Sequence, residues 1–381
     1  MSYCKKTTCI LPWISLDRNY ETSRPAFAPC CLYQSKEPKH EFDEYWLGSE
    51  LKQIRQQMLQ GQKPQGCWKC YNDETLGKKS MRQSVNESRL DLHSDLIGKK
   101  SGELKPLQVK LLAGASCNLA CRMCVSHVSS KVHKVWEVLG LPLQDPYKYD
   151  EVSDQIIRQN ADTVRYIDLM GGEPFYNKKV HNLIQWLVDN NHSSHITIYV
   201  TTNAMLLNDQ LIDNLKKFEN VVIIVSLDAV GEKHEYIRPG ADWNIIVANI
   251  EKLQSNQLNV VIQPVISALN ILCLPDLIDW CEERKLHMTQ MSLVHEPEPL
   301  HPKNLPSVLK PLVAEQFQPF IEEATTDSCI EFVRKLDKYW KTKIYDYMPE
   351  WRDVYDNKAE LNQSEKDYDL YRKTLDYVKK I

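Results

Sequence analysis

The stretch Cys117-Asn118-Leu119-Ala120-Cys121-Arg122-Met123-Cys124 limits this chain more than any other. Three cysteines spaced CxxxCxxC follow directly on Leu107 to Ala113, an apolar run that reads as a buried strand ending in a loop at Gly114. Three thiolates on one loop hold three corners of an iron-sulfur cube, whereas a closed 4Fe-4S site uses four. One iron is then left open to bind a small molecule and to pass an electron into it. The same spacing also suits a zinc knuckle or three incidental thiols, so the surroundings must decide.

Composition narrows those surroundings. The chain has 381 residues, 43% hydrophobic and 26% charged, enough for a large catalytic domain with smaller additions. The longest apolar run, Val221 to Val225, stops at Ser226, far short of the ~20 residues of a membrane helix. Met1-Ser2-Tyr3-Cys4 does not open like a signal peptide, so a cytoplasmic protein without membrane contact is expected. A net charge of -4 gives no strong nucleic-acid signal. Twelve cysteines in such a protein point to metal ligands rather than disulfides.

Six of them, Cys4, Cys9, Cys30, Cys31, Cys67 and Cys70, fall within residues 1–75, which read as a helix-poor, cysteine-rich module with one helix near Glu50 to Gln60. A CxxC with distant cysteines is a metal-site pattern whose spacing does not separate zinc from iron-sulfur. The polar stretch that follows, 76–103, reads as a solvated helix and linker, with Lys78, Lys79, Arg82, Lys99 and Lys100 on a charged surface face.

From 104 to 300, short apolar runs alternate with helical patterns, the signature of a parallel α/β sheet with crossover helices. Candidate strands are Leu107 to Ala113, Thr163 to Met170, Ile196 to Thr201, Val221 to Ser226, Val260 to Ile266 and Met288 to Val294. Six strands suit an open, partial (β/α)6 barrel, with a flavodoxin-like sheet as the rival, and either gathers ligands at the C-terminal ends of its strands. Polar residues stand at those ends. After the second strand, Gly171 and Gly172 permit close backbone approach and Glu173 suits an ammonium. Asn203 follows the third, and Ser226 and Asp228 the fourth, with Arg238 one loop beyond; short polar groups suit ribose hydroxyls and a guanidinium suits a carboxylate. Asn270 is a weaker candidate after the fifth.

With these motifs in register, the chain resembles the radical S-adenosylmethionine (SAM) superfamily. The resemblance implies a 4Fe-4S cluster on Cys117, Cys121 and Cys124 and SAM chelated at the open iron. It also implies reductive cleavage to a 5'-deoxyadenosyl radical that abstracts hydrogen from a substrate, chemistry that belongs to the cofactor and is positioned by the protein. It gives the amino group of SAM to Gly171, Gly172 and Glu173, and contacts with SAM to Ser226 and Arg238. Met123 stands where many members carry an aromatic residue. Residues 1–75 are similar to the twitch or SPASM modules of some radical SAM enzymes, which implies a second 4Fe-4S cluster on Cys9, Cys67, Cys70 and one of Cys30 or Cys31. Such modules usually follow the catalytic domain, and this one precedes it.

An oxidoreductase of this kind needs an electron donor such as flavodoxin or ferredoxin, and a substrate drawn from peptides, nucleotides or sugars. The rival reading is a zinc- or iron-sulfur-binding scaffold without radical turnover. Residues 301–381 read as a helical extension whose aromatics, among them Tyr339, Trp340, Tyr345, Tyr347, Trp351, Tyr355, Tyr368 and Tyr371, pack as core. His192 and His195 read as loop histidines and Cys281 as buried filler.

Overall fold

A proline decides how the predicted fifth strand ends. The run from Val260 to Ile266 contains Pro264, which lacks a ladder N–H. In the structure, a computed structural model, the run breaks there into two strands. The structure describes residues 6–19, 26–35, 38–289, 291–321 and 328–356, so Cys4, Tyr368 and Tyr371 lie outside the described residues.

In chain order, the first half runs α1 (Leu11–Ile14), β1 (Ser15–Asn19), β2 (Ala26–Ala28), α2 (Phe42–Trp46), α3 (Ser49–Leu59), α4 (Trp68–Thr75), α5 (Met81–Arg89), β3 (Gln108–Leu112), α6 (Ser130–Leu139), α7 (Glu151–Gln159), β4 (Tyr166–Met170), α8 (Lys178–Asp189) and β5 (Thr197–Thr202). The second half runs α9 (Asp209–Leu215), β6 (Asn220–Val225), α10 (Glu232–Ile237), α11 (Trp243–Ser255), β7 (Asn259–Ile262), β8 (Val265–Ile266), α12 (Leu274–Glu283), β9 (His287–Met288), β10 (Ser292–Leu293), α13 (Ser328–Trp340) and α14 (Arg352–Asp356). The expected α/β alternation is present. The sixth predicted strand also divides, into β9 and β10, so the expectation of six uninterrupted strands is corrected.

The chain forms two compact units, Met1–Leu111 with Asp150–Leu169 and Trp186–Ile198, and Leu112–Tyr149 with Met170–Gln185 and Tyr199–Ile381. In the first, the strand order is β2-β1-β3-β4. Strand β1 pairs in parallel with β3, Leu16 opposite Val109, and antiparallel with β2, Asp17 opposite Ala28. This N-terminal pairing was not legible in the sequence. Nor is the segment helix-poor, since α1 to α4 occupy it, with Leu51, Ile54 and Met58 of α3 buried.

The charged face expected over 76–103 holds for Lys78, Lys79, Lys99 and Lys100, which are exposed, and is corrected at Arg82. Arg82 is buried, 2.7 Å from Glu74 across an ion pair, and donates to the carbonyl of Thr8 at 2.8 Å. The carboxylate that leads the charge run is what allows the guanidinium to turn inward.

In the second unit the order is β5-β6-β7-β9, with β6 parallel to β7 and β7 to β9, while β8 and β10 form a separate parallel pair. The apolar run of β6 is continuous in sequence, yet only alternate residues are buried. Val221, Ile223 and Val225 face the core, whereas Val222 and Ile224 are half-buried. The second face of the sheet is therefore left partly open.

In the C-terminal segment, Trp351 and Tyr345 are buried as expected, with Ile344 and Met348 beside them, while Tyr339, Trp340, Tyr347 and Tyr355 are half-buried. Among the described residues no helix is long and apolar enough to cross a membrane. Replacing Arg82 with methionine keeps most of the volume and leaves the Glu74 carboxylate with the Ser80 hydroxyl but without its counter-ion. The variant should lose about 3 kcal/mol of stability, as breaking a buried pair does, measured by urea unfolding followed by tryptophan fluorescence.

Candidate functional site

The cysteine loop has little regular structure of its own, so its shape is set by what it leans on. Gly171 adopts φ +141°, and a Cβ there would lie 2.8 Å from the carbonyl oxygen of Gly114. A Cβ on Gly172 would lie 2.5 Å from that of Ser116. Without side chains the two backbones meet: Ala113 N–H donates to Met170 O at 2.6 Å, Gly172 N–H to Gly114 O at 2.7 Å and Glu173 N–H to Ser116 O at 2.9 Å. The glycine pair thus lets the chain approach its own cysteine loop, a close approach the sequence had suggested for a ligand.

Farther along, Ala120 N–H donates to Pro239 O at 3.0 Å and Arg122 N–H to Ile237 O at 2.9 Å. A cavity of about 270 Å³ opens where these segments meet, lined by Cys117, Cys121, Cys124, Met123, Gly171, Gly172, Asn203, Ser226 and Arg238. Nearly all of the expected site residues therefore share one space, at the C-terminal ends of β4, β5 and β6.

Glu173 and Asp228 stand behind this lining, almost fully buried. Glu173 accepts from Thr202 Oγ1 at 2.8 Å, Phe175 N–H at 3.0 Å and Asn203 N–H at 2.7 Å. Burial lifts its carboxyl above the usual range, opposed by those bonds. Asp228 accepts from Arg238 Nε at 2.5 Å and Val265 N–H at 3.0 Å. Arg238 also donates through Nη1 to the Cys121 sulfur at 3.8 Å. Burial works against the charged guanidinium, but Asp228 and Cys121 outweigh it and hold its pKa above the ordinary value.

Asn203 donates to Asn118 Oδ1 at 2.9 Å and so ties β5 to the cysteine loop. Asn270 is fully buried and donates to the carbonyls of Asp228 and Val265, both at 3.0 Å, which makes it a brace of the lining. His192 lies 3.3 Å from Asp162, and His195 meets the carbonyl of Ala161 at 2.8 Å, so both tie their own turn to the turn that follows α7.

Cys117 is buried and Cys121 and Cys124 are half-buried, and taking a thiol out of water favours its neutral form. Burial pushes Cys117 up to about 12 and raises Cys121 and Cys124 as well, the neighbouring thiols adding to the shift at Cys117 and Cys124. Among the described residues no histidine lines the cavity beside them, a soft donor set that suits iron-sulfur. Among the described residues no three His, Cys, Asp or Glu side chains are grouped closely enough to hold one metal ion. A cube asks for less convergence, since each thiolate meets its own iron.

A second cluster of thiols stands in the first unit. Cys9, Cys30, Cys67 and Cys70 line one pocket with Met58, Tyr33 and Arg82. The Cys9 loop is held by Tyr71 Oη to Thr7 O at 2.6 Å, by Arg82 to Thr8 O and by Asn86 Oδ1, which accepts from Ile10 N–H at 3.0 Å. Cys31 is exposed and does not line the pocket; its charged neighbours are Lys110 and Asp17. Burial pushes the Cys9 thiol up to about 12 and raises the other three. Sequence reading missed Arg82 here, and at the first site it missed Arg122 and the side chains that hold it.

Residues 112–283 match the family model described as the Radical SAM superfamily. The chain is 26% identical over 170 residues to the radical SAM cyclopropyl synthase TigE of Paramaledivibacter caminithermalis, 42% of this chain and 35% of that protein. The chain thus spans about a third of the length of this curated relative.

Among solved structures, it is similar to native anSMEcpe with bound AdoMet, at 16% identity and TM-score 0.39, over 50% of this chain and 52% of that one. It is also similar to SuiB of Streptococcus suis bound to S-adenosylmethionine, at 16% identity and TM-score 0.40, over 74% of this chain and 57% of that one. Residues 112–283, a little under half of the chain, are a radical SAM domain. Such a domain works with SAM and a 4Fe-4S cluster.

In metal-free protein, alkylation of Cys117 at pH 8 should be roughly 50-fold slower than that of a free peptide cysteine, because the scarcity of thiolate outweighs its greater basicity. The rate should climb about tenfold per pH unit up to pH 10 or beyond, read by mass spectrometry of the labelled peptide.

Proposed function

We propose that this chain reductively cleaves SAM and directs the resulting radical to a C–H bond of its substrate. The observation that carries the reading is the cavity in which Cys117, Cys121 and Cys124 face Gly171, Gly172, Ser226 and Arg238. When bound, a 4Fe-4S cluster with one iron free of protein ligands would supply the electron that splits SAM into methionine and a 5'-deoxyadenosyl radical. The three thiols would hold the cluster, giving up the protons that burial keeps on them.

Glu173 has donors on three of its roughly four acceptor positions and keeps one for the ammonium of SAM. Asn203 and Ser226 offer short polar groups to the ribose, with Asp228 fixing the lining behind them. Arg238, held by Asp228, presents the rest of its guanidinium to the carboxylate of SAM. Met123, only 8% exposed, gives the adenine an adaptable apolar wall. The enclosure keeps water from the reacting carbon.

Cys9, Cys30, Cys67 and Cys70 would hold a second 4Fe-4S cluster, with Cys30 rather than Cys31 as the fourth ligand. An electron donor of the flavodoxin or ferredoxin class would reduce the enzyme. The substrate belongs to the peptides, nucleotides or sugars, and its C–H bond is oxidised or rearranged.

Anaerobically reconstituted protein should carry about eight irons and, once reduced, release 5'-deoxyadenosine from SAM. Cys121→Ala should abolish that release; full clusters without any turnover in the unaltered chain would favour a scaffold. Cys30→Ser should lose about four irons while Cys31→Ser loses none, and the opposite pattern would move the fourth ligand.

A further inference from the structure

Between two of the thiols sits a cation that takes no part in the cavity's sulfur contacts. Arg122 follows Cys121 directly, and its guanidinium is buried under α10 and α13, with its side chain 1% exposed. Nε donates to Tyr236 O at 2.7 Å and Nη2 to Thr342 Oγ1 at 2.7 Å. Nη1 faces Asp337 Oδ1 at 3.1 Å, an ion pair whose acidic side chain is fully buried. The guanidinium carbon lies 3.9 Å from the centre of the Tyr236 ring.

Asp337 is saturated in turn. It accepts from Tyr236 Oη at 3.0 Å, Thr342 Oγ1 at 2.9 Å and Ile344 N–H at 2.9 Å. Every partner that could loosen the pair is itself tied to it.

A buried ion pair is a poor way to gain stability, since an apolar replacement of similar volume is often as good. It is a good way to fix one geometry. Loop residues are mobile unless held, and ligands of a working site need placing to within about 0.5 Å. The segment next to this pair needs such placing on two counts. Arg122 lies between Cys121 and Cys124, and Tyr236, which bonds both Arg122 and Asp337, lies two residues before Arg238. Arg238 touches the Cys121 sulfur. One carboxylate on α13 thus restrains both the loop that carries the thiols and the loop that carries the arginine beside them.

We propose that Asp337 is a positioning residue for the cysteine loop, acting through Arg122 and Tyr236, so that α13, outside the matched segment 112–283, is a working part of the cofactor site. The inference rests on the reading of Cys117, Cys121 and Cys124 as cluster ligands. It extends that site to a helix that carries none of them.

The test uses the full chain, reconstituted anaerobically with iron and sulfide. In Asp337→Asn, the loop cluster should lose iron to a chelator at least ~10-fold faster than in the unaltered protein, the scale on which second-layer partners act. Its electron paramagnetic resonance signal should lose sharpness in the shift that SAM induces, while the Cys9 to Cys70 cluster stays unchanged. Unaltered chelation and an unaltered SAM-induced shift would overturn the proposal.

A variant in which Arg122→Met and Asp337→Leu are combined keeps the interior apolar and filled, which covers the case in which Asp337→Asn does not fold. It should fold by circular dichroism and still hold a labile loop cluster; a loop cluster as durable as the original would also overturn the proposal. If Cys121→Ala retains as much iron as the unaltered protein, the ligand reading itself falls, and this inference with it.

Discussion

The backbone contact between Gly171 to Glu173 and Ala113 to Ser116 is the constraint on which the rest of the second unit depends. Because neither glycine has a Cβ, the end of β4 pairs with the segment that leads into the cysteine loop. Glu173 then reaches the end of β5 and binds Thr202 and the N–H of Asn203, and Asn203 reaches back to Asn118 between the cysteines. The circuit closes on the loop where it began. A carboxylate buried this deeply is tolerable because it accepts three hydrogen bonds.

Electrostatics on the other side of the cavity follow the same logic. Asp228 is buried with Arg238 as its counter-ion, and Asn270 fixes the carbonyl behind it. Arg238 is thereby aimed at Cys121, where its positive charge favours a thiolate that burial alone would suppress. The fully buried His234 accepts from Asp228 N–H at 3.3 Å, and burial with the nearby Arg238 keeps it neutral, so it adds no second positive charge. Two buried pairs, Arg238 with Asp228 and Arg122 with Asp337, meet the same short loop at the adjacent residues Cys121 and Arg122.

The first unit solves a similar problem with different parts. Its Cys9 loop is pinned by side chains from α4 and α5, chiefly Tyr71, Arg82 and Asn86. Gly66 sits so tightly against Tyr33 that a Cβ would come within 2.3 Å of the ring, which fixes the approach to Cys67. In both units thiols on irregular backbone are held by bonds from regular elements.

What the sequence by itself determined in the second unit is a set of short motifs that the fold brings to one cavity. Cys117, Cys121, Cys124, Gly171, Gly172, Ser226 and Arg238 occupy short motifs at strand ends, and the alternation of strands with helices places such ends together whatever the details of packing. It also determined that a second group of thiols exists. Only the tertiary structure decided which thiols share a pocket, because Cys30 and Cys31 are neighbours in the chain and diverge in space. It decided that Arg82 turns inward, since a charge run looks solvated until a partner such as Glu74 is brought beside it. It also decided that Asp337 meets Arg122. No local pattern marks an ion pair between residues so far apart, because its energy comes from burial and from hydrogen bonds that exist only once the chain has folded.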